Sequence, residues 1–150
     1  MACPGPAQPQ PEDLTTVHAS CVAVAGRGVL IRGASGSGKS ALALQLMALG
    51  AALVADDRTR LWRDGSRVLA GCPPRIAGLI EARGVGLLSA DASGPVPVAL
   101  IVDLDRTETE RLPPQRQAPL LQTPVAVLHG QPGRHFPAAI MLYITAGRVA

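Results

Sequence analysis

The chain has 150 residues, enough for one domain with a real core, and at 47% hydrophobic and 17% charged it cannot be disordered throughout. Aromatics make up only 2%, so the core must be built from Ala, Val, Leu and Ile. A net charge of +3, with no Lys/Arg run and no interleaved aromatics, argues against a nucleic-acid surface, and no apolar run reaches membrane-spanning length.

In chain order, residues 1–14, "MACPGPAQPQPEDL", are proline-rich and read as disordered. They contain no apolar signal-peptide region, so a cytoplasmic protein is expected. Cys3, Cys21 and Cys72 are odd in number and lack metal-ligand spacing, and so read as reduced thiols. The folded unit is expected over 15–150. It opens with "TTVHASCVAVAGRGVLIRG", where small and β-branched residues on both sides of "AGRG" predict a hairpin. The second strand runs into "GASGSGKS", residues 33–40, and "KSALALQLMALG" follows with Leu42, Leu46 and Leu49 at helical spacing and Gly50 as a stop. "AALVADD" reads as a buried strand ending in two acids, and "TRLWRDGSRVLAG" as two strands around Asp64-Gly65. "PRIAGLIEARG" reads as a short helix entering a glycine turn, and "VGLLSA" and "PVPVALIVDLD" as further strands. "RTETERLPPQRQAPLLQTP" is polar and proline-rich, a loop or a small helix. The last segment, "FPAAIMLYITAGRVA", fits helix or strand by pattern; Pro137 in a first turn, with Ala and Met, favours a helix.

The most informative residues are Gly33, Ala34, Ser35, Gly36, Ser37, Gly38, Lys39 and Ser40, which fit G-x-x-x-x-G-K-[ST]. Between a strand and a helix, such a loop turns successive backbone N–H groups toward phosphate oxygens, and the helix N-terminus adds its positive end. Lys39, the only lysine in the chain, would neutralise the β- and γ-phosphates, and the Ser40 hydroxyl would ligate Mg²⁺. Asp56 and Asp57 follow one helix and one strand later, at a strand's carboxyl end, where α/β folds place ligands. A carboxylate there can hold Mg²⁺ or accept a proton from an attacking hydroxyl. By residue type alone His18 is a histidine on a strand, and Glu81 with Arg83 is a charged pair at a turn.

The ordered set "VHA" (17–19), "GASGSGKS" (33–40), "LVADD" (53–57) and "EARGVG" (81–86) resembles the catalytic domain of HPr kinase/phosphorylase. The resemblance spans about residues 15–145, and "ADD" followed by Glu-x-Arg-Gly-x-Gly is its most specific part. It implies a phosphate-loop α/β kinase fold related to the nucleotide-binding core of phosphoenolpyruvate carboxykinase, and a hexameric homo-oligomer. The implied activity is ATP- and Mg²⁺-dependent phosphorylation of a serine on HPr, the phosphocarrier protein of the sugar phosphotransferase system. In the reverse reaction, phosphate attacks phosphoserine-HPr and pyrophosphate leaves. The resemblance implies that Asp57 is the proton acceptor forward and donor in reverse, with Asp56 beside it. His18 and Lys39 match active-site residues, Ser40 and Glu81 match Mg²⁺ ligands, and the turn from Glu81 to Leu87, with Arg83 in it, serves both directions. Arg111 in "ERLPP" matches a later active-site arginine, and Arg134 in "GQPGR" matches a cation of the dephosphorylation step. Many members carry an additional N-terminal domain, so this chain resembles a short form; Ala19 and Ala34 depart from the longer members. Two other readings share the loop: a small-molecule kinase, which needs a lid and a substrate pocket, and a non-catalytic ATP-binding regulator.

Overall fold

The computed structural model describes residues 14–150; residues 1–13 of the proline-rich start, Cys3 included, lie outside the described residues. Strand β1 (Thr15–Val17) stops at a bend on His18, and β2 (Ala19–Val24) begins immediately after it. The break matters because β1 pairs with β5 (Thr59–Asp64), whereas β2 pairs with β3 (Arg27–Arg32) and β4 (Ala52–Ala55). The β2–β3 hairpin forms as expected around "AGRG". Ala25 (φ 53°) and Gly26 (φ 74°) adopt the left-handed pair that a two-residue turn of matching twist requires. Helix α1 (Lys39–Ala48) follows the glycine loop; Leu42 and Leu46 are buried, but Leu49 caps the helix and is half exposed.

Two segments differ from expectation. "PRIAGLIEARG" is one 3-10 turn, Pro74–Ile76, followed by β7 (Leu79–Ala82), which pairs with β8 (Gly86–Ser89). Gly78 (φ 73°) and Pro73-Pro74 leave too short a stretch for an α-helix. The polar stretch after β9 (Val96–Thr107) ends in a hairpin: β10 (Arg116–Leu120) and β11 (Thr123–Gly130). The expected segment α2 (Phe136–Ala146) is helical, with Pro137 in its first turn.

Long β9 organises the domain. It runs parallel to β3 on one side and β11 on the other, and its first residues pair with β6 (Arg67–Gly71). The main sheet is ordered β10-β11-β9-β3-β2-β4, and β6, β5 and β1 continue from the start of β9. Side chains alternate across the sheet as strand geometry demands. Val22, Val29, Ile31, Leu100 and Val102 meet Leu42 and Leu46 of α1 and Ile140 and Ile144 of α2. On the opposite face Cys21, Leu30 and Ile101 meet Leu61, Val68 and Ala70 of the antiparallel extension. Helices therefore cover one face and strands the other, with an aliphatic core on both sides. Cys21 and Cys72 are free thiols, and burial pushes the Cys21 thiol up to about 12, which keeps it protonated and inert.

Ile101 is fully buried at the centre of β9. Ile101→Ala is expected to cost about 2–5 kcal/mol, read from denaturant midpoints at unchanged slope. A loss below 0.5 kcal/mol would mean that β9 is not the central strand.

Candidate active site

Four strands, β4, β3, β9 and β11, point the same way, since β2 is antiparallel to both β3 and β4 while β9 parallels β3 and β11. Their carboxyl ends share one edge, and the phosphate loop occupies its middle. Gly33 must be glycine: a Cβ there would lie 2.5 Å from Ser37 Oγ, and its φ is +155°. Gly38 (φ 101°) is the left-handed residue that launches α1, whose first N–H groups lack intrahelical acceptors and are free for an anion. Lys39 is buried, and its Nζ donates to the carbonyls of Gly33 (2.8 Å) and Ala34 (3.1 Å). An ammonium has three N–H donors, so one remains for a phosphate oxygen.

Asp56 ties the edge together. Its Oδ1 accepts from Ser40 Oγ (2.6 Å) and Ser20 Oγ (2.9 Å), and its Oδ2 from the Glu81 N–H (3.1 Å). The ends of β4, α1, β2 and β7 thereby converge on one buried carboxylate. Asp57 behaves differently. Arg58 N–H reaches back to the Asp56 carbonyl at 2.7 Å, and Asp57 takes a left-handed φ of 63°, uncommon outside glycine. Its own N–H donates to Ser20 Oγ at 3.1 Å. This turn presents the Asp57 carboxylate to solvent, 59% exposed, with Oδ1 3.5 Å from Nδ1 of His18. The bend that separates β1 from β2 is what brings His18 there.

The Ser40 hydroxyl and the Asp56 carboxylate, 2.6 Å apart, are hard-oxygen donors of the kind that suits Mg²⁺, whereas Glu81 reaches Asp56 with its backbone N–H. Among the described residues no group of three or more His, Cys, Asp or Glu forms a metal cage by itself. Mg²⁺ in nucleotide sites needs none, because one or two protein ligands share it with phosphates and water. The Glu81 side chain is exposed on β7, and Arg83 is exposed on the β7–β8 turn.

Arg111 lies on the exposed segment after β9, and Arg134 is exposed in the turn before α2. Among the described residues neither makes a hydrogen bond or ion pair with His18, Lys39 or Asp57. Arg111 instead borders a cleft of about 450 Å³ between that segment and α2. Glu108 forms part of its wall. Burial pulls the Glu108 carboxyl upward, but the Glu110 N–H, the Arg116 guanidinium, the Thr109 N–H and His129 outweigh it and hold its pKa below the usual value.

Sequence reading missed three residues of this edge. Ser20 bridges Asp56 and Asp57. Asp105 accepts the Ala34 N–H of the phosphate loop at 2.8 Å, and Asp103 accepts the Asp105 N–H at 3.0 Å while facing Arg32 at 3.7 Å. The acids of "VDLD" carried the same signal as "VADD", carboxylates at a strand's carboxyl end. Nothing local marked Ser20.

Comparison with known proteins identifies the family. Residues 12–94 match the family described as HPr Serine kinase C-terminal domain. An HPr kinase/phosphorylase of Acidovorax sp. (strain JS42) is 41% identical over 138 residues, covering 79% of this chain and 43% of the relative. That of Bordetella pertussis is 40% identical over 146 residues, covering 89% and 44%. The chain thus spans less than half the length of these curated relatives. The structure of the Hpr(Ser) kinase/phosphatase from Coxiella burnetii superposes with a TM-score of 0.73 at 26% identity, over 87% of this chain and 88% of the other. A phosphate loop with the paired acids of β4 beside it, in this fold and at this similarity, places the chain in the HPr serine kinase C-terminal domain family.

Proposed function

We propose that the chain is a protein-serine kinase that transfers the γ-phosphate of ATP to a serine of HPr, with residues 15–150 as its catalytic unit. The observation that carries this reading is the division of labour between neighbouring acids. Asp56 is buried and committed to Ser20, Ser40 and Glu81, whereas Asp57 is exposed, oriented and free to take a proton from an incoming protein hydroxyl. The serine oxygen attacks the γ-phosphorus, Asp57 accepts the hydroxyl proton, and ADP leaves. Lys39 and the amides at the start of α1 stabilise charge on the transferred group. Mg²⁺, held by Ser40 and Glu81, would neutralise the phosphates further. In reverse, inorganic phosphate attacks phosphoserine, Asp57 returns the proton to the serine oxygen, and pyrophosphate is released. The exposure of His18 and Asp57 suits a macromolecular acceptor, since a small metabolite would need enclosure.

The family resemblance supports a homo-oligomer, a hexamer, working in the cytoplasm; no described helix is long and apolar enough to cross a membrane. The test of the function is incubation with labelled ATP, Mg²⁺ and purified HPr. Phosphoserine on HPr is the expected product, and its absence while ATP still binds would turn the reading toward a regulatory module.

We assign Arg134 to phosphate recognition in the reverse direction, as the family resemblance implies. It is exposed on a turn between Gly133 and α2, and its planar fork can pair with two phosphate oxygens. Arg134→Ala is expected to lower phosphate-dependent pyrophosphate release at least tenfold more than it lowers kinase turnover. Equal losses in the two directions would make Arg134 a structural residue.

A further inference from the structure

We infer that the cleft between α2 and the segment following β9 receives the base and ribose of the nucleotide whose phosphates rest on residues 33–40. The inference rests on the phosphate-loop reading and extends it to a second set of residues.

Strand order supplies the direction. Asp57 stands at the end of β4, on one side of the loop, while β9 and β11 lie on the other. A nucleotide with its terminal phosphate toward Asp57 must extend its nucleoside away from β4, over the ends of β9 and β11. From β3 to β11 is two strand spacings, roughly 10 Å, a distance that a nucleoside diphosphate can cover. The cleft lies at that point, at the carboxyl ends of β9 and β11 and against α2. Its volume of about 450 Å³ is that of a small-ligand site. The loop and the cleft wall are joined through the backbone: Asp105 accepts the Ala34 N–H, and three residues on, the Glu108 N–H donates to the Gly130 carbonyl at 2.8 Å.

The lining has the chemistry a base needs. The chain has one Trp, one Tyr and one Phe, and two of these three, Phe136 and Tyr143, line the cleft. Two of its three histidines, His129 and His135, do so as well. Phe136 and Tyr143 pack one side against the core beneath α2 and are only partly buried, so part of each ring is left for the cleft, and aromatic faces stack any base. Gln131 accepts the Gly133 N–H through its Oε1, which leaves its amide N–H groups for ring acceptors. Glu108 does not compete for ligand, because Thr109 N–H, Glu110 N–H and Arg116 occupy one of its oxygens and His129 lies 3.9 Å from the other. Glu110 is more exposed; its Oε2 lies 3.6 Å from Arg116, which leaves its other oxygen for a ribose hydroxyl.

The experiment compares binding of ATP and of inorganic tripolyphosphate to the full chain by calorimetry, for the parent, Ala139→Trp and Tyr143→Ala. Ala139 is exposed on α2 beside the cleft, so a tryptophan there fills the space without removing a core contact. The expected result is a parent that binds ATP more tightly than tripolyphosphate. Both variants should lose about 5–100-fold in ATP affinity with tripolyphosphate affinity unchanged. Variants that bind ATP as the parent does would overturn the inference, as would a parent that binds both ligands equally; either leaves the phosphate loop intact as a site. Loss of both ligands in both variants would also overturn it, by showing damage to the fold. A parent that binds neither ligand removes the phosphate-loop reading and this inference together.

Discussion

Asp57→Asn is expected to bind ATP with parental affinity and to phosphorylate HPr about 10²–10⁴-fold more slowly, the usual weight of a general base. The amide is nearly isosteric but cannot accept the serine proton. The backbone that presents it should persist, because the left-handed conformation of Asp57 is one that asparagine also tolerates. The bond from the residue-57 N–H to Ser20 is made by the main chain, so it survives the change. Asp56→Asn should behave differently. Its carboxylate accepts three hydrogen bonds, and an amide NH₂ in place of one oxygen would face a donor, so loop geometry and nucleotide binding should suffer together. Single-turnover rates with labelled ATP, beside nucleotide titrations, separate the two outcomes. Parental transfer by Asp57→Asn would remove Asp57 as the base and make His18, 3.5 Å away, the next residue to test.

Lys39→Ala is expected to abolish measurable turnover, with a loss of at least about 10²–10³-fold from removing one donor at the point of greatest transition-state charge. ATP affinity should fall as well. The core should hold, because Lys39 belongs to neither aliphatic cluster. The stability cost is confined to its two charge-assisted bonds to Gly33 and Ala34, about 1.5–3 kcal/mol for each at most and less near the surface, and it should appear as a loosened loop. Turnover and a thermal melt on one preparation check both halves. Wild-type turnover in this variant would sink the phosphate-loop assignment, and a collapsed melt would show that the loop is part of the core.

The two variants probe opposite ends of one transfer. In the proposed reaction Lys39 would sit beneath the donor phosphates and Asp57 would face the acceptor. Between them, the short Ser40–Asp56 bond couples α1 to β4, so a shift in either element is felt in the other. In the proposed reaction Asp56 holds four elements distant in sequence together and leaves the proton to Asp57.

The sequence by itself determined the chemistry-bearing centre and the elements around it. "GASGSGKS" needs a strand before and a helix after it, and both are there because aliphatic periodicity in "GVLIR" and "ALALQLMA" is local information. "ADD" at a strand end was legible for the same reason. The β10–β11 hairpin was not. Its turn is Leu121-Gln122, both left-handed (φ 46° and 69°) with no glycine to announce it, and Pro119 opposite Pro124 reads as a strand breaker. It holds because β10 is an edge strand, where a missing N–H costs little, and because Leu120, Val125 and Val127 bury their side chains in the core. Tertiary structure alone decided which residues face one another. Ser20 reaches Asp56 across 36 residues and Ala34 reaches Asp105 across 71, and those pairings depend on strand order. Strand order is set by how β9 partners β3, β6 and β11 at once. That choice minimises exposed aliphatic surface over the whole chain, so no local window of sequence contains it.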